Sequence, residues 1–304
     1  MSKIKEAFQN GKAFIPFITC GDPDLGTTKK IVRAMAANGA DLIELGIPFS
    51  DPTAEGPVIQ EANIRALKNH VTTDDVFEMV KELRQELSLP LVFMTYANVI
   101  FSYGASRQAA GVGGAGLPAE TAAVGAAGGA NAPAQALCGI EGFAAQALCG
   151  IEGFAARAAE CGINGVILPD VPFEEREEFA PVFRKYGIDL ISMIAPTSHE
   201  RIRTIASLAE GFVYVVSSLG VTGIRQNITT DLGAMVKLVR EANPEIPCAI
   251  GFGIATPEQA EKMGRVADGV IVGSAIVKQI GALGTAASEV IGAYTKEMKE
   301  AANR

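Results

Sequence analysis

The stretch DLIELGIPFSDPTAEGPVIQ, residues 41–60, begins as a buried strand and ends as a polar loop. The strand half, residues 42–47, is apolar on both faces, which is typical of a parallel sheet covered by helices. One acid, Glu44, interrupts the apolar run. The stretch therefore predicts a strand of an α/β protein that carries a carboxylate among apolar neighbours.

Seven more apolar runs of this kind recur along the chain, and charged segments with helical spacing lie between them. Several of those segments end in the glycine expected after a helix. The eight strand runs are AFIPFITC (13–20), LIELGI (42–47), PLVFMTY (90–96), GVILPD (165–170), DLISMIA (189–195), FVYVVS (212–217), PCAIGFG (247–253) and GVIVGSA (269–275). The helical segments include TTKKIVRAMAANG (27–39), TTDDVFEMVKELRQEL (72–87), FEEREEFAPVFRKYG (173–187) and TPEQAEKMGRVADG (256–269).

Eight alternations of strand and helix predict a (β/α)8 barrel, the TIM-barrel architecture, formed by residues 1–304 as a single domain. A doubly wound open sheet is the alternative, because periodicity alone cannot assign short apolar runs to strands.

Composition narrows the classes of function. The chain has 304 residues, 48% of them hydrophobic, with a formal net charge of -8 and a pI near 5.0, which argues against general affinity for nucleic acid or anionic membrane. No apolar run approaches the roughly 18 residues of a membrane span, and the amino terminus lacks a signal-peptide core. We expect a cytoplasmic protein without nucleic-acid or membrane partners.

Cysteine and histidine provide little chemistry in this sequence. The five cysteines include no CxxC pair, so buried reduced thiols are expected. The two histidines, His70 and His199, are scattered, which argues against a histidine-rich metal site or a Ser-His-Asp triad. We expect no metal, and chemistry that rests on carboxylates, hydroxyls and backbone groups.

In a barrel of this kind, catalytic groups lie at the carboxyl ends of the strands and on the loops that follow. Glu44 comes late in the second strand, where an inward carboxylate would be partly desolvated and could exchange a proton near neutral pH. A buried acid in a structural ion pair is the alternative, and the residues alone leave both open. In the following loop, Asp51 and Glu55 also fit ordinary turn positions before proline and glycine.

Glycines and hydroxyls follow the last three predicted strands. They occur in SSLGVTG (217–223), GFGIATPEQ (251–259) and VGSAIV (272–277). Glycine lets backbone N–H groups approach an anion, and a helix beginning at Gly273 and Ser274 would add its positive end. The three segments together predict a phosphorylated ligand at this end of the barrel.

Several motifs give the chain a family resemblance. The segments PFITCGDP, LIELGIPFSDPTAEGPVIQ, MTYAN, ILPDVP, VYVVSSLGVTG, GFGI and GSAIV occur in the order and spacing of the tryptophan synthase alpha subunit. The chain resembles that family from its amino terminus to about Gly104, and again from near Ile151 to its end.

The resemblance implies a lyase that splits indole-3-glycerol phosphate into indole and glyceraldehyde 3-phosphate by a retro-aldol reaction. Glu44 matches the family's acid/base catalyst, and Tyr214 matches the tyrosine beside the substrate. The second catalytic carboxylate of the family is an aspartate, whereas Glu55 stands at that position here, so the acceptor for the indole N–H is one methylene longer.

By the same resemblance, other residues take roles in binding and loop closure. Asp170 and Thr222 match residues that close the loops over substrate and communicate with a partner, although a structural turn is an alternative for Asp170. The indole pocket would be lined by Phe17, Ile59, Tyr96, Met193, Phe252 and Ile271. The phosphate would be held by Gly223, Gly253, Gly273 and Ser274.

The resemblance also implies a beta subunit that carries pyridoxal phosphate, in an assembly of two alpha and two beta subunits. No cofactor is expected in this chain itself.

One segment departs from the family pattern. Residues 105–150 are Ala/Gly-rich, and AQALCGIEGFA at 134–144 is repeated at 145–155. We expect an insertion in the connection between the third strand and its helix, and either copy could enter that helix. The insertion could weaken docking of the beta subunit. A catalytically weakened phosphate-binding barrel that acts as an assembly or allosteric partner is therefore the alternative function.

Overall fold

The structure, a computed structural model, describes residues 2–104, 149–216, 231–251 and 253–304. Three predicted site residues lie outside the described residues, namely Thr222, Gly223 and Phe252. So does the first repeat copy, together with the rest of 105–148.

Eight parallel strands form a closed barrel, in which each strand pairs with its neighbours in sequence and the last pairs with the first. The predicted (β/α)8 barrel is confirmed, and the open sheet is excluded by this closure. The strands are β1 (Ala13–Thr19), β2 (Ile43–Gly46), β3 (Leu91–Met94), β4 (Gly165–Ile167), β5 (Asp189–Ile194), β6 (Glu210–Val216), β7 (Cys248–Gly251) and β8 (Gly269–Val272).

Helices surround the barrel. The α-helices of the described residues are α1 (Lys3–Glu6), α2 (Leu25–Ala37), α3 (Pro57–Lys68), α4 (Thr73–Leu83), α5 (Ala97–Phe101), α6 (Gly150–Cys161), α7 (Ala180–Lys185), α8 (His199–Ser207), α9 (Leu232–Ala242), α10 (Pro257–Gly264), α11 (Ser274–Leu283) and α12 (Ala287–Ala302). Short 3₁₀ helices cover Phe173–Glu178 and Gly284–Ala286.

One helical prediction needs a correction. The segment 173–187 forms a 3₁₀ helix followed by the short helix α7, instead of one continuous helix. Pro181 lies in the first turn of α7, where its missing N–H costs nothing. In a continuous helix, Pro181 would be interior, losing a hydrogen bond and clashing with the preceding turn.

Alternation along the strands separates two apolar layers. Successive side chains point to opposite faces of a strand, so Phe14 and Ile18 of β1 pack outward, towards the helices. Ile15 and Phe17 of the same strand pack inside the barrel. Leu42, immediately before β2, precedes Glu44 by two residues and packs inside, so Glu44 has the inward phase.

The amino-terminal helix closes the bottom of the barrel. Ile4 of α1 is fully buried, and its Cδ1 atom would lie 2.7 Å from a Cβ added at Gly165 of β4. Phe8, which follows α1, packs against Phe212 of β6, with ring centroids 5.7 Å apart. The carboxyl ends of the strands therefore form the end of the barrel where a site can open.

The second copy of the tandem repeat supplies the start of α6. Phe154, from that copy, is fully buried and packs its ring edge-on against Phe77 of α4, at a centroid distance of 5.3 Å. The two chain segments that flank residues 105–148 are also in contact, because the Gly150 N–H donates to the Tyr103 carbonyl at 2.9 Å. We propose that residues 105–148 are an insertion within one barrel domain, after α5. The expected bound of 105–150 is shortened by two residues, because Cys149 is the N-cap of α6 and Gly150 is its first residue.

Deleting residues 105–148, so that Gly104 joins Cys149, tests this proposal. The free energy of unfolding is expected to stay the same or rise by up to roughly 2 kcal/mol, because a shorter connection costs less loop-closure entropy. Urea denaturation followed by circular dichroism measures it. A variant that lacks only residues 134–144 is the control and should differ little from the full chain. Loss of several kcal/mol in the longer deletion would show that the segment belongs to the core.

Candidate active site

Glu44 lies near the carboxyl end of β2 and on its inward face. It is in register with Phe17 of β1 and Val92 of β3, and it is 1% exposed. Neither of its carboxylate oxygens has a hydrogen-bond partner among the described residues. Within that part of the chain, the structural ion pair that the sequence left open is therefore not formed.

Glu55 ends the loop between β2 and α3, immediately before the N-cap residue Gly56. It is 5% exposed, unlike a solvated turn residue. The Asn63 side chain donates from Nδ2 to Glu55 Oε2 at 2.6 Å, and the Tyr96 hydroxyl also hydrogen-bonds to the carboxylate. Asp51, in the same loop, is exposed and accepts a hydrogen bond from Ser50. Asp51 therefore fits the ordinary turn role, and Glu55 does not.

The two buried acids favour different protonation states. Burial, with a smaller contribution from the charge of Glu55, raises the pKa of Glu44 to about 8. Burial also raises the pKa of Glu55 to about 7, and its hydrogen bonds with Asn63 and Tyr96 oppose that rise because they stabilise the carboxylate. Near neutral pH, Glu44 is therefore the more fully protonated of the two acids, and Glu55 is the more readily ionised.

Tyr214 reaches the same interior from β6. Burial, and then the charge of Glu44, raises the pKa of the Tyr214 hydroxyl well above its usual value, so the phenol stays neutral. Its ring lies across β7, where a Cβ added at Gly251 would come within 2.7 Å of three ring and hydroxyl atoms. The absence of a side chain at Gly251 thus lets the Tyr214 ring lie in this position.

Most of the predicted indole-pocket residues come together. Phe17, Ile59 and Ile271 share one buried cluster with Tyr214, and Met193 packs against it. Gly46 leaves room for the Phe17 ring, because a Cβ there would lie 2.7 Å from Phe17 Cζ.

Tyr96, from the loop after β3, lies outside that cluster and beside Glu55, to which its hydroxyl hydrogen-bonds. It is buried, and its ring lies against Phe49 at a centroid distance of 5.1 Å. Of the predicted pocket, only Phe252 lies outside the described residues.

Three of the residues predicted to bind phosphate, Gly253, Gly273 and Ser274, follow the ends of β7 and β8. Gly273 is the N-cap of α11, and Ser274 is its first residue and is buried. The first N–H groups of a helix lack intrahelical partners and attract anions. Gly253 has a φ of +87°, a conformation that favours glycine. Gly273 also lies beside Phe17, since an added Cβ would be 3.3 Å from the Phe17 ring, so this helix start borders the apolar pocket.

Asp170 links two loops at the mouth of the barrel. Its carboxylate accepts a hydrogen bond from the Ala97 N–H, at 3.0 Å to Oδ2 and 3.3 Å to Oδ1. Burial raises the pKa of Asp170. The loop after β4 is thereby tied to the start of α5, which is compatible with either a structural or a coupling role.

Sequence reasoning missed Asn63, although a signal for it exists. Ile59, Ala62, Asn63 and Ala66 are the buried residues of α3, at the spacing of one helix face. An amide on that apolar face needs a buried partner, and Glu55 is that partner. The helix itself is held by Arg65, whose Nε and Nη2 atoms donate to the two Asp22 oxygens at 2.7 and 2.8 Å.

Two other kinds of feature are absent from the described residues. Across residues 2–104, 149–216, 231–251 and 253–304, no helix is long and apolar enough to cross a membrane. The same residues contain no cluster of three or more His, Cys, Asp or Glu side chains that could hold a metal ion.

A closed barrel with two buried carboxyl groups of raised pKa at its open end defines a (β/α)8-barrel enzyme of the acid/base type. A family model described as "Tryptophan synthase alpha chain" matches residues 2–119 and 145–303. The chain belongs to the tryptophan synthase alpha chain family.

Individual relatives agree with this membership. The chain is 42% identical to the tryptophan synthase alpha chain of Lacticaseibacillus casei, over 99% of this chain and 96% of that protein. The tryptophan synthase alpha chain of Lactiplantibacillus plantarum is equally similar, with the same coverage.

Solved structures agree as well. A crystal structure of the alpha chain from Legionella pneumophila has a TM-score of 0.74 and 31% identity, covering 99% of this chain and 97% of that one. A tryptophan synthase complex from Pyrococcus furiosus contains a chain with a TM-score of 0.69 and 32% identity, covering 94% of this chain and 97% of that one.

Replacing Asn63 with leucine tests the electrostatic arrangement. The Asn63 hydrogen bond lowers the pKa of Glu55, so its loss should raise that pKa by about one unit. The acid limb of the pH profile of kcat/KM for indole release, expected near pH 7 in the unaltered chain, should move upward by that amount.

Gln60→Leu is the matched control on the same helix, because Gln60 donates to the Glu55 main-chain carbonyl instead of its carboxylate. Its acid limb should stay in place. An unchanged acid limb in Asn63→Leu would mean that Glu55 does not control it.

Proposed function

We propose that this chain splits indole-3-glycerol phosphate into indole and glyceraldehyde 3-phosphate, with Glu44 as the acid/base group and Glu55 as the acceptor for the indole N–H. The reaction is a late step of tryptophan biosynthesis. Membership of the family supports the reaction, and the two buried acids support the roles.

The chemistry needs one proton delivered and one removed. The bond between the indole ring carbon and the glycerol chain breaks after the ring carbon gains a proton. The adjacent glycerol hydroxyl loses its proton as its carbon becomes the aldehyde. The two transfers cancel, so a single carboxyl group can perform both in turn.

Glu44 suits this double role. With a pKa of about 8 it holds its proton at neutral pH and can give it to the ring carbon. The carboxylate formed in this way is buried and unpaired among the described residues, so it readily accepts the hydroxyl proton. This burial without a partner is the observation that carries the assignment.

Glu55 suits the stabilising role. Protonation of the ring carbon makes the indole nitrogen cationic, and a nearby carboxylate stabilises that charge most strongly in a site with little water. Asn63 and Tyr96 hold the carboxylate in place and favour its charged form. The alternative function, a weakened barrel in which glutamate at this position has eroded activity, is not favoured, because the longer side chain is buried and has two partners.

The remaining groups are proposed to bind and orient substrate. The apolar cluster around Phe17, Ile59 and Ile271 suits the flat indole ring. The start of α11 at Gly273 and Ser274 suits the phosphate, which fits a binding mode based on backbone N–H groups. Tyr214, kept neutral by its raised pKa, can donate a hydrogen bond beside Glu44.

We propose a beta subunit as the protein partner. Two solved relatives from Pyrococcus furiosus are described as a tryptophan synthase complex and as an a2b2 complex, and their alpha-type chains match this chain at 32% identity. Pyridoxal phosphate would belong to that partner, and this chain would need no cofactor. Calorimetry with a beta subunit, comparing the full chain with the variant that lacks residues 105–148, would show whether the insertion weakens docking.

A cytoplasmic location also forms part of the proposal. Cys20, Cys161 and Cys248 are free, buried thiols, as expected for a chain in a reducing compartment.

Glu44→Gln is the direct test of the function. Glutamine keeps the size of the side chain but cannot exchange the proton, so kcat for indole release should fall by roughly 10²–10⁴-fold while KM changes little. Steady-state assays with indole-3-glycerol phosphate measure both constants. Glu61→Gln removes an exposed carboxylate from α3 and serves as the control, with kcat unchanged. Near-normal turnover in Glu44→Gln would sink the assignment.

A further inference from the structure

A cavity lies between the residues that follow β4, strand β5, the 3₁₀ helix Phe173–Glu178 and α8. Its volume is about 270 Å³, just below the roughly 300–1,000 Å³ of typical ligand sites, so it suits only a small molecule. Apolar side chains make up much of the wall, including Val171, Leu190 and Ile205. None of the groups that we assign to catalysis or to the phosphate lines it.

Arg176 gives this cavity an unbalanced positive charge. The residue lines the cavity and is 6% exposed, yet its Nη2 atom has no hydrogen-bond partner in the described part of the chain. Its ion-pair contact there is Nη1 to Glu177 Oε1, at 3.6 Å, and the Glu177 side chain is 73% exposed. The guanidinium carbon also lies 5.7 Å from the centroid of the Phe173 ring. A solvated carboxylate at that distance compensates a buried cation only weakly.

Arg201 lines the same cavity but differs from Arg176, because its guanidinium is paired with a carboxylate. Its Nη1 and Nη2 atoms both bond to the Glu174 carboxylate, in a two-pronged arrangement. Its charge is therefore already neutralised. Of these two cavity arginines, Arg176 is the one left with a donor to spare.

Burying a cation without a counter-charge or a full set of hydrogen bonds costs several kcal/mol by general estimates. A planar guanidinium matches a carboxylate, which can accept two parallel hydrogen bonds from it. Ser192, which is buried, also lines the cavity, and Thr197 adds a second hydroxyl. A dianion such as phosphate would need a second free cation, which Arg201 does not provide.

We propose that this cavity binds a small molecule with one carboxylate and a compact apolar group, the carboxylate on the Arg176 guanidinium and the apolar group against Val171, Leu190 and Ile205. The site shares a wall with the active site, because Ile191 and Met193 line the cavity and also belong to the barrel-interior packing. A molecule bound in this cavity would therefore contact side chains that also pack against the indole pocket.

Calorimetric titration of the full chain with benzoate tests the proposal, with neutral benzamide as the matched probe. Benzoate should bind more tightly than benzamide by roughly tenfold or more, because a hydrogen bond to a charged group contributes more than a neutral one. Arg176→Met keeps the length of the side chain and removes the charge. It should weaken benzoate by roughly tenfold or more and leave benzamide unchanged.

Two further variants complete the experiment. Arg184→Met removes an exposed arginine of α7 outside the cavity and should bind benzoate as the full chain does. Arg176→Lys keeps the charge but loses the two-pronged geometry, so it should bind benzoate less well than the full chain. If Arg176→Met does not fold, the benzoate affinity of Arg176→Lys provides the test instead.

The proposal is overturned if the full chain binds benzoate no better than benzamide. It is equally overturned if benzoate affinity is unchanged in the Arg176 variants, which would place the benzoate elsewhere. Preference for inorganic phosphate over benzoate would overturn the carboxylate assignment.

Discussion

The burial of Glu44 without a partner is the constraint on which the proposed site depends. Taking a carboxyl group out of water disfavours its charged form, and this raises the pKa of Glu44 to about 8 from an ordinary value of 4.5. Between those two pH values the folded chain holds a proton that the unfolded chain has released. Stability therefore falls as pH rises through this window, and the fold tolerates that loss at the residue that we assign to proton transfer.

The barrel makes this burial possible, and neighbouring groups adjust it. The inward phase of β2 carries Glu44 into an apolar interior, and the Gly46 and Gly251 positions leave room for the rings of Phe17 and Tyr214. Across the short loop from β2 to α3, Asn63 favours the charged form of Glu55. The charge of Glu55 then favours the protonated form of Glu44. Two carboxyl groups thus have environments that suit them to different roles, which is a recurrent way of arranging acid/base chemistry at neutral pH.

Local patterns predicted much of the fold. Eight apolar runs marked the eight strands, because strands buried on both faces need apolar residues at nearly every position. The exception in the second run, Glu44, was informative for the same reason. The prediction of one helix over 173–187 was wrong. The spacing of the charged residues indicated a helix, but Pro181 disfavours a continuous one.

Contacts between distant segments were harder to foresee. The Asn63–Glu55 pair depends on how a loop folds back onto its helix. The lack of a hydrogen-bond partner for Arg176 Nη2 among the described residues depends on where the acids of other segments lie. The repeat offered two equivalent entries to α6, and tertiary packing of Phe154 distinguishes the one in the structure. The roles of Thr222, Gly223 and Phe252 remain predictions from the family resemblance, since those residues lie outside the described ranges.

The buried, protonated state of Glu44 is tested most directly by measuring the ionisation of this side chain in the free protein. Nuclear magnetic resonance of a chain labelled with ¹³C at the glutamate carboxyl carbons would follow each side chain through a pH titration, with Glu44→Gln used to assign the Glu44 signal. We expect a midpoint for Glu44 near pH 8. A midpoint near the ordinary value of 4.5 would contradict it, because Glu44 would then be ionised at neutral pH and could not deliver the proton that begins the reaction.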